Sequence, residues 1–107
     1  MAFLSAHGWS MEAHRFRLGH IELDLVVRRG ALVAFVEVKT RRGGAFGPGR
    51  EAIGWRKRLA LSRVAEAWRH RYGRPGDLYR FDVIEVVPRR DGQPVVVHVE
   101  DAWRLNR

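Results

Sequence analysis

The chain of 107 residues contains no cysteine, one asparagine, one glutamine and two lysines among its 20 basic residues. The absence of cysteine excludes a disulfide scaffold and any thiolate-ligated zinc or iron–sulfur centre. No apolar run approaches the roughly 18 residues that a membrane span requires. The opening MAFLSAHGW has neither the basic n-region nor the apolar core of a secretion signal, so the expected compartment is the cytoplasm. At 46% hydrophobic residues the composition is that of a globular protein. A chain of this length is expected to bury roughly 60–70% of its unfolded surface, enough for one core without a staple. A single domain over residues 1–107 follows.

The scarcity of lysine makes the two that occur informative. Eighteen basic residues are arginine, and the exceptions are Lys39 and Lys57. Arginine-rich composition is a trait of the source. A lysine kept against that habit points to its own chemistry, a compact charge whose pKa shifts readily. The charge is also segregated. Residues 41–74 carry ten basic and two acidic groups, whereas the segments on either side are nearly balanced, so the middle third holds the excess behind the net charge of +8. Two readings compete here: a surface for a polyanion, or a solvated helix face in an arginine-rich chain. Acidic substrates and anionic lipid are weaker alternatives, because the helix below lacks the pattern of an interfacial anchor.

Residues 2–7 read as the tail of a helix stopped by Gly8, so that the first helix is truncated at the N-terminus, and Trp9 to Arg17 as an edge strand. His20 to Val27 alternates, with Ile21, Leu23, Leu25 and Val27 on one face and Glu22, Asp24 and Val26 on the other. Arg28-Arg29-Gly30 supplies a turn into a second strand, Ala31 to Thr40. There Val33, Phe35, Glu37 and Lys39 share one face and Leu32, Ala34, Val36 and Val38 the other; with both faces apolar, this strand should be central. A glycine-rich loop at 43–49 precedes a helix over Arg50 to Tyr72, whose stripe of Ile53, Ala60, Leu61, Val64, Ala67 and Trp68 includes Lys57 near its middle. Two further strands, Leu78 to Val87 and Pro94 to Val99, flank an Asp91-Gly92 turn. The pattern predicts an α/β fold: a mixed sheet of antiparallel hairpins joined by a helical crossover that permits parallel pairing.

Asp24, Glu37 and Lys39 are the residues on which chemistry is expected. Glu37 and Lys39 are two apart on one strand and so share a face, and Asp24 lies on the neighbouring strand. Two carboxylates can hold Mg²⁺ or Mn²⁺, and a nearby lysine can stabilise charge on a reacting phosphate. An exposed cross-strand ion pair is the bland alternative for any Glu-x-Lys. The apolar setting AFVEV weighs against it, because burying charge without a partner is costly. Lys57 either snorkels to the helix edge or contacts a substrate phosphate. Asp82 is expected to be a structural partner of an arginine such as Arg80, and His98 a satisfied strand histidine. The loop at 43–49 lacks the nucleotide-triphosphate signature. Arg41, Arg42 and Arg50 flank it and could track a phosphate backbone, with Phe46 available to stack on bases.

The stretches IELDLVVRRGALVAFVEVKTRR, FGPGREAI, RKR, AEAWR, RFDVIEVV and HVEDAW resemble the YraN-like family of small bacterial proteins, over about residues 2–103. That family is similar to archaeal Holliday-junction resolvases within the PD-(D/E)xK nucleases. The resemblance implies a restriction-endonuclease-like fold and cation-dependent hydrolysis of phosphodiester bonds in structured or branched DNA. It implies Asp24 and Glu37 as ligands of Mg²⁺ or Mn²⁺, Lys39 as the catalytic lysine, and a lysine at the position of Lys57 directed to substrate. It also implies a homodimer. The superfamily commonly carries a further Glu on its first helix, upstream of the segment matching Ala2-Phe3-Leu4; Glu12 does not match it, and Glu22 is a possible accessory acid on the face of Asp24. Nucleic-acid contact would involve Arg41, Arg42, Arg50, Arg56, Lys57 and Arg58. The rival expectation is a non-catalytic nucleic-acid-binding protein that keeps the nuclease fold.

Overall fold

The computed structural model describes residues 2–40 and 54–104. Arg41, Arg42, Arg50, the glycine-rich loop with Phe46, and Ile53 lie outside the described residues. The described elements run in the order α1 (Ala2–Ala6), β1 (Ser10–Leu18), β2 (Ile21–Arg29), β3 (Leu32–Thr40), α2 (Trp55–Tyr72), β4 (Leu78–Arg89) and β5 (Gly92–Trp103). The strands form one mixed sheet in the order β1-β2-β3-β4-β5. β1, β2 and β3 are antiparallel neighbours, β3 and β4 are parallel across the helical crossover, and β4 and β5 form the closing hairpin. This is the mixed α/β arrangement expected of a restriction-endonuclease-like fold. No helix among the described residues is long and apolar enough to cross a membrane.

The apolar alternation of β3 divides the core into two layers. Val33 and Phe35 pack with Leu61, Val64, Ala65 and Trp68 of α2. Ala34 and Val36 pack on the opposite side with Leu4 of α1 and Trp9. Phe35 is the centre of the first layer, edge-on to Trp68 and stacked against Tyr79 at 5.7 Å between centroids. β3 is central, as its two apolar faces predict. Helix α2 ends where Gly73 returns its amide to Arg69 O, and a Cβ on Gly73 would sit 2.5 Å from that oxygen, which explains the glycine.

One expectation fails, and it fails beside the predicted site. Strict alternation along β2 would put Leu23 with Leu25 and Val27. Instead Leu23 and Val26 join the layer under α2, while Leu25 and Val27 join the layer under α1. The switch falls at Asp24. The β2–β3 ladder runs from Arg29↔Leu32 to Leu25↔Val36, and the adjoining β1 carries Arg15 at φ 59°, between the pairs His14↔Leu25 and Phe16↔Leu23. A non-glycine residue in the left-handed region is strained backbone, and this one lies beside the break.

Candidate active site

At Asp24 the two strands stop exchanging backbone bonds in regular register and use their acidic side chains instead. Asp24 Oδ2 accepts the Val38 amide at 2.8 Å, and Glu37 Oε1 accepts the Asp24 amide at 3.4 Å. Each carboxylate therefore binds the main chain next to the other. The departure from the ladder fixes both side chains by the sheet itself, which is more rigid than a loop. On the other side of β3 the parallel pairing continues through Glu37↔Val83 and Lys39↔Glu85 to Thr40↔Val86.

Glu37 is buried, with its side chain 5% exposed. Burial pushes its carboxyl above the usual carboxylate range, and the negative charge of Asp24 pushes it further; Lys57 offsets part of the shift. Lys57 reaches Glu37 Oε2 with its Nζ at 3.3 Å. Neither sequence reading of Lys57 named this contact: the side chain goes to the acid. Its place on the core-facing stripe, one helical turn ahead of the buried Leu61, is confirmed by the geometry.

These residues line a cleft of about 630 Å³ formed by His20, Glu22, Asp24, Glu37, Lys39, Arg56, Lys57 and neighbouring apolar side chains. Both lysines of the chain line it. Of the residues expected to act, Asp24, Glu37, Lys39, Arg56 and Lys57 are brought together. Arg58 is not among them: it turns to the other side of α2, with its guanidinium 5.7 Å from the Trp103 ring centre. Glu22 lines the cleft but is engaged by Arg17 at 2.9 Å and Arg15 at 3.2 Å, and these bonds lower its pKa. His20 was missed in the sequence; its signal was the two-residue spacing that continues Glu22 and Asp24 toward the start of the strand.

A divalent cation fits the donor set. Asp24 and Glu37 supply hard carboxylate oxygens, the type that Mg²⁺ and Mn²⁺ take. Burial first and the charge of Asp24 second raise the pKa of Glu37, with Lys57 offsetting part of the shift; the repulsion between the two acids is what a bound cation would relieve. Among the described residues no third His, Asp or Glu completes a three-ligand cluster, so the remaining positions would fall to water and substrate oxygens.

Other acids have different surroundings. Asp82, buried on β4, accepts from Arg80 Nη2 at 3.1 Å and from the Asp101 amide at 2.9 Å, and pairs with His98 Nε2 at 2.7 Å. Its expected role as a partner of Arg80 holds, and the partner of His98 is Asp82 itself. Asp77 takes both guanidinium nitrogens of the buried Arg28, at 2.6 and 2.9 Å, which holds its carboxyl far below the usual range.

Comparison with known proteins agrees with the motifs. The model of a family described as "Uncharacterised protein family UPF0102" matches residues 1–86. The chain belongs to the UPF0102 family. It is 39% identical to a UPF0102 protein of Nocardia farcinica over 98 residues, covering 92% of this chain and 77% of that one. A UPF0102 protein of Symbiobacterium thermophilum is 41% identical over 91 residues, 85% of this chain and 77% of the relative. One from Caldicellulosiruptor saccharolyticus is 42% identical over 84 residues, 78% and 71% of the two chains. The family model's match over residues 1–86 includes Asp24, Glu37, Lys39 and Lys57.

Proposed function

We propose that this UPF0102 protein is a cation-dependent endonuclease that hydrolyses phosphodiester bonds in structured or branched DNA. The observation that carries the reading is the reciprocal clasp of Asp24 and Glu37 at the break in the β2–β3 ladder, facing a cleft that contains both lysines. The amide bonds the two acids make do not offset the repulsion and burial that raise the pKa of Glu37, and perturbed acids of this kind mark functional sites.

Asp24 and Glu37 would hold Mg²⁺ or Mn²⁺, which supplies Lewis-acid polarisation of the phosphate and an activated water. Lys39, on the same face of β3 as Glu37, stabilises the negative charge that builds on the phosphoryl oxygens as water attacks phosphorus and the bond to the leaving sugar oxygen breaks. Arg56 and Lys57 lie in the first turn of α2, where cations oppose the helix dipole. Their place there is favourable once an anion binds, and a phosphate backbone is such an anion. The absence of a base-reading element in the sequence supports recognition by nucleic-acid shape, and two copies acting on a symmetric branch would suit that use.

The test is cleavage of labelled duplex, flap, single-stranded and four-way-junction DNA in Mg²⁺ or Mn²⁺ by the wild type and by Lys39→Ala. Cation-dependent cleavage lost in the variant supports the nuclease. Salt-sensitive binding by both proteins with no cleavage by either would instead favour a binding protein that keeps the fold.

A further inference from the structure

We propose that Lys57 is the resident counter-charge of the acid pair: it sits on Glu37 in the cation-free protein and is released when a divalent cation binds, becoming free to hold a substrate phosphate. The inference rests on the reading of this cleft as a cation site and adds to it an exchange of charges.

The pair is asymmetric. The Glu37 side chain is 5% exposed and tied to the Asp24 amide, whereas Lys57 is 46% exposed at the end of a flexible stem. The acid cannot leave and the ammonium can. The contact is also loose. At 3.3 Å it is longer than the 2.7–2.9 Å of strong charge-assisted bonds, and far looser than the two-point grip of Arg28 on Asp77.

The residue type agrees with this. In a chain with 18 arginines, an arginine at position 57 would offer the two-point grip seen at Asp77, which closes the acid to other partners. A lysine gives a single, well-hydrated charge that exchanges readily. The other charged groups lining the cleft are Glu22, held by Arg15 and Arg17, together with Lys39 and Arg56; the His20 imidazole lies beside them. Among the described residues Lys57 is the one cation with an ion pair to Glu37. A divalent ion at Glu37 would repel that ammonium and replace its function, and the displaced side chain would remain in the cleft where a phosphate is expected.

The experiment is a Mn²⁺ titration of the full chain, read by the electron paramagnetic resonance of free Mn²⁺ for the wild type, Lys57→Gln, Lys57→Arg and Glu37→Gln. A companion titration follows fluorescence anisotropy of a labelled duplex with no divalent cation and with Ca²⁺. Lys57→Gln is expected to bind Mn²⁺ about three- to fivefold tighter than wild type, the factor set by a half-exposed ion pair. Lys57→Arg keeps the charge and should gain no affinity for Mn²⁺. The loss of duplex affinity in the Lys57→Gln variant should be about threefold larger with Ca²⁺ than without a divalent cation. Mn²⁺ binding lost in Glu37→Gln but unchanged or weaker in Lys57→Gln would overturn the exchange and leave the cation site standing. Duplex binding weakened equally with and without Ca²⁺ would overturn the release step. No Mn²⁺ binding by the wild type would overturn the cation site, and the exchange with it.

Discussion

Glu37 and Asp82 stand on adjacent parallel strands one register position apart, since Asp82 faces Val36 and Glu37 faces Val83. Both are buried acids, yet their surroundings are opposite. Asp82 lies between Arg80, His98 and the Asp101 amide, every contact at 3.1 Å or less, under α1 and Trp9. Glu37 has one amide at 3.4 Å, one loose lysine, and a second acid beside it. The same sheet thus contains a carboxylate whose charge is used up by the fold and another whose charge is left for something else. Burial alone does not distinguish a functional acid. The distinction lies in whether the partners of that acid are sufficient and permanent.

The largest effect that tests this contrast is catalytic. Asp24→Asn and Glu37→Gln should each reduce cation-dependent cleavage at least about 10³-fold while nucleic-acid affinity stays within about threefold, measured by single-turnover kinetics and anisotropy. Asp82→Ala should do the reverse. Removing the centre of a buried charge network takes the partner from His98 and the Asp101 amide and leaves Arg80 with only the more exposed Glu100, and should cost about 3–5 kcal/mol in urea unfolding, with cleavage per folded molecule unchanged. A large catalytic loss in folded Asp82→Ala would break the comparison.

Smaller effects sharpen it through pH. The pKa of Glu37 is raised in the folded state, so the folded protein holds that proton more tightly than the unfolded chain does. Stability should therefore fall as pH rises from the ordinary carboxylate range through the raised value, and Glu37→Gln should remove that slope in cation-free buffer. Asp77 has the opposite sign. Its depressed pKa gives stability that is full above the ordinary carboxylate range and is lost as pH falls toward the depressed value. Arg28→Met should flatten the acid limb of the stability profile and leave the Glu37 slope in place.

Much of this molecule was legible in the sequence because its strands obey period two and its helix obeys period 3.6. The apolar faces of β3 identified a central strand, and the stripe of Leu61, Val64 and Trp68 identified the buried side of α2 with Lys57 on it. The grouping of Glu37 with Lys39 followed from spacing alone. What spacing could not show is the break at Asp24. Alternation assumes a continuous ladder, and here the carboxylates replace backbone acceptors, so Leu23 and Leu25 face opposite layers. The pairing of Asp82 with His98 was hidden for a different reason: the two residues are 16 apart across the β4–β5 hairpin, whose register shifts are not set by spacing. The turn of Arg58 toward Trp103 likewise depends on where β5 lies beside α2.

The most direct measurement is thermal unfolding of wild type and Glu37→Gln, each with and without Mn²⁺. If Glu37 is an acid held at some cost to the fold in order to bind a cation, Glu37→Gln will be at least as stable as wild type in cation-free buffer at neutral pH, and Mn²⁺ will raise the Tm of the wild type alone. A variant that is strongly destabilised without cation, and that Mn²⁺ stabilises as much as it does the wild type, would place Glu37 with Asp82 among the structural acids and contradict the account.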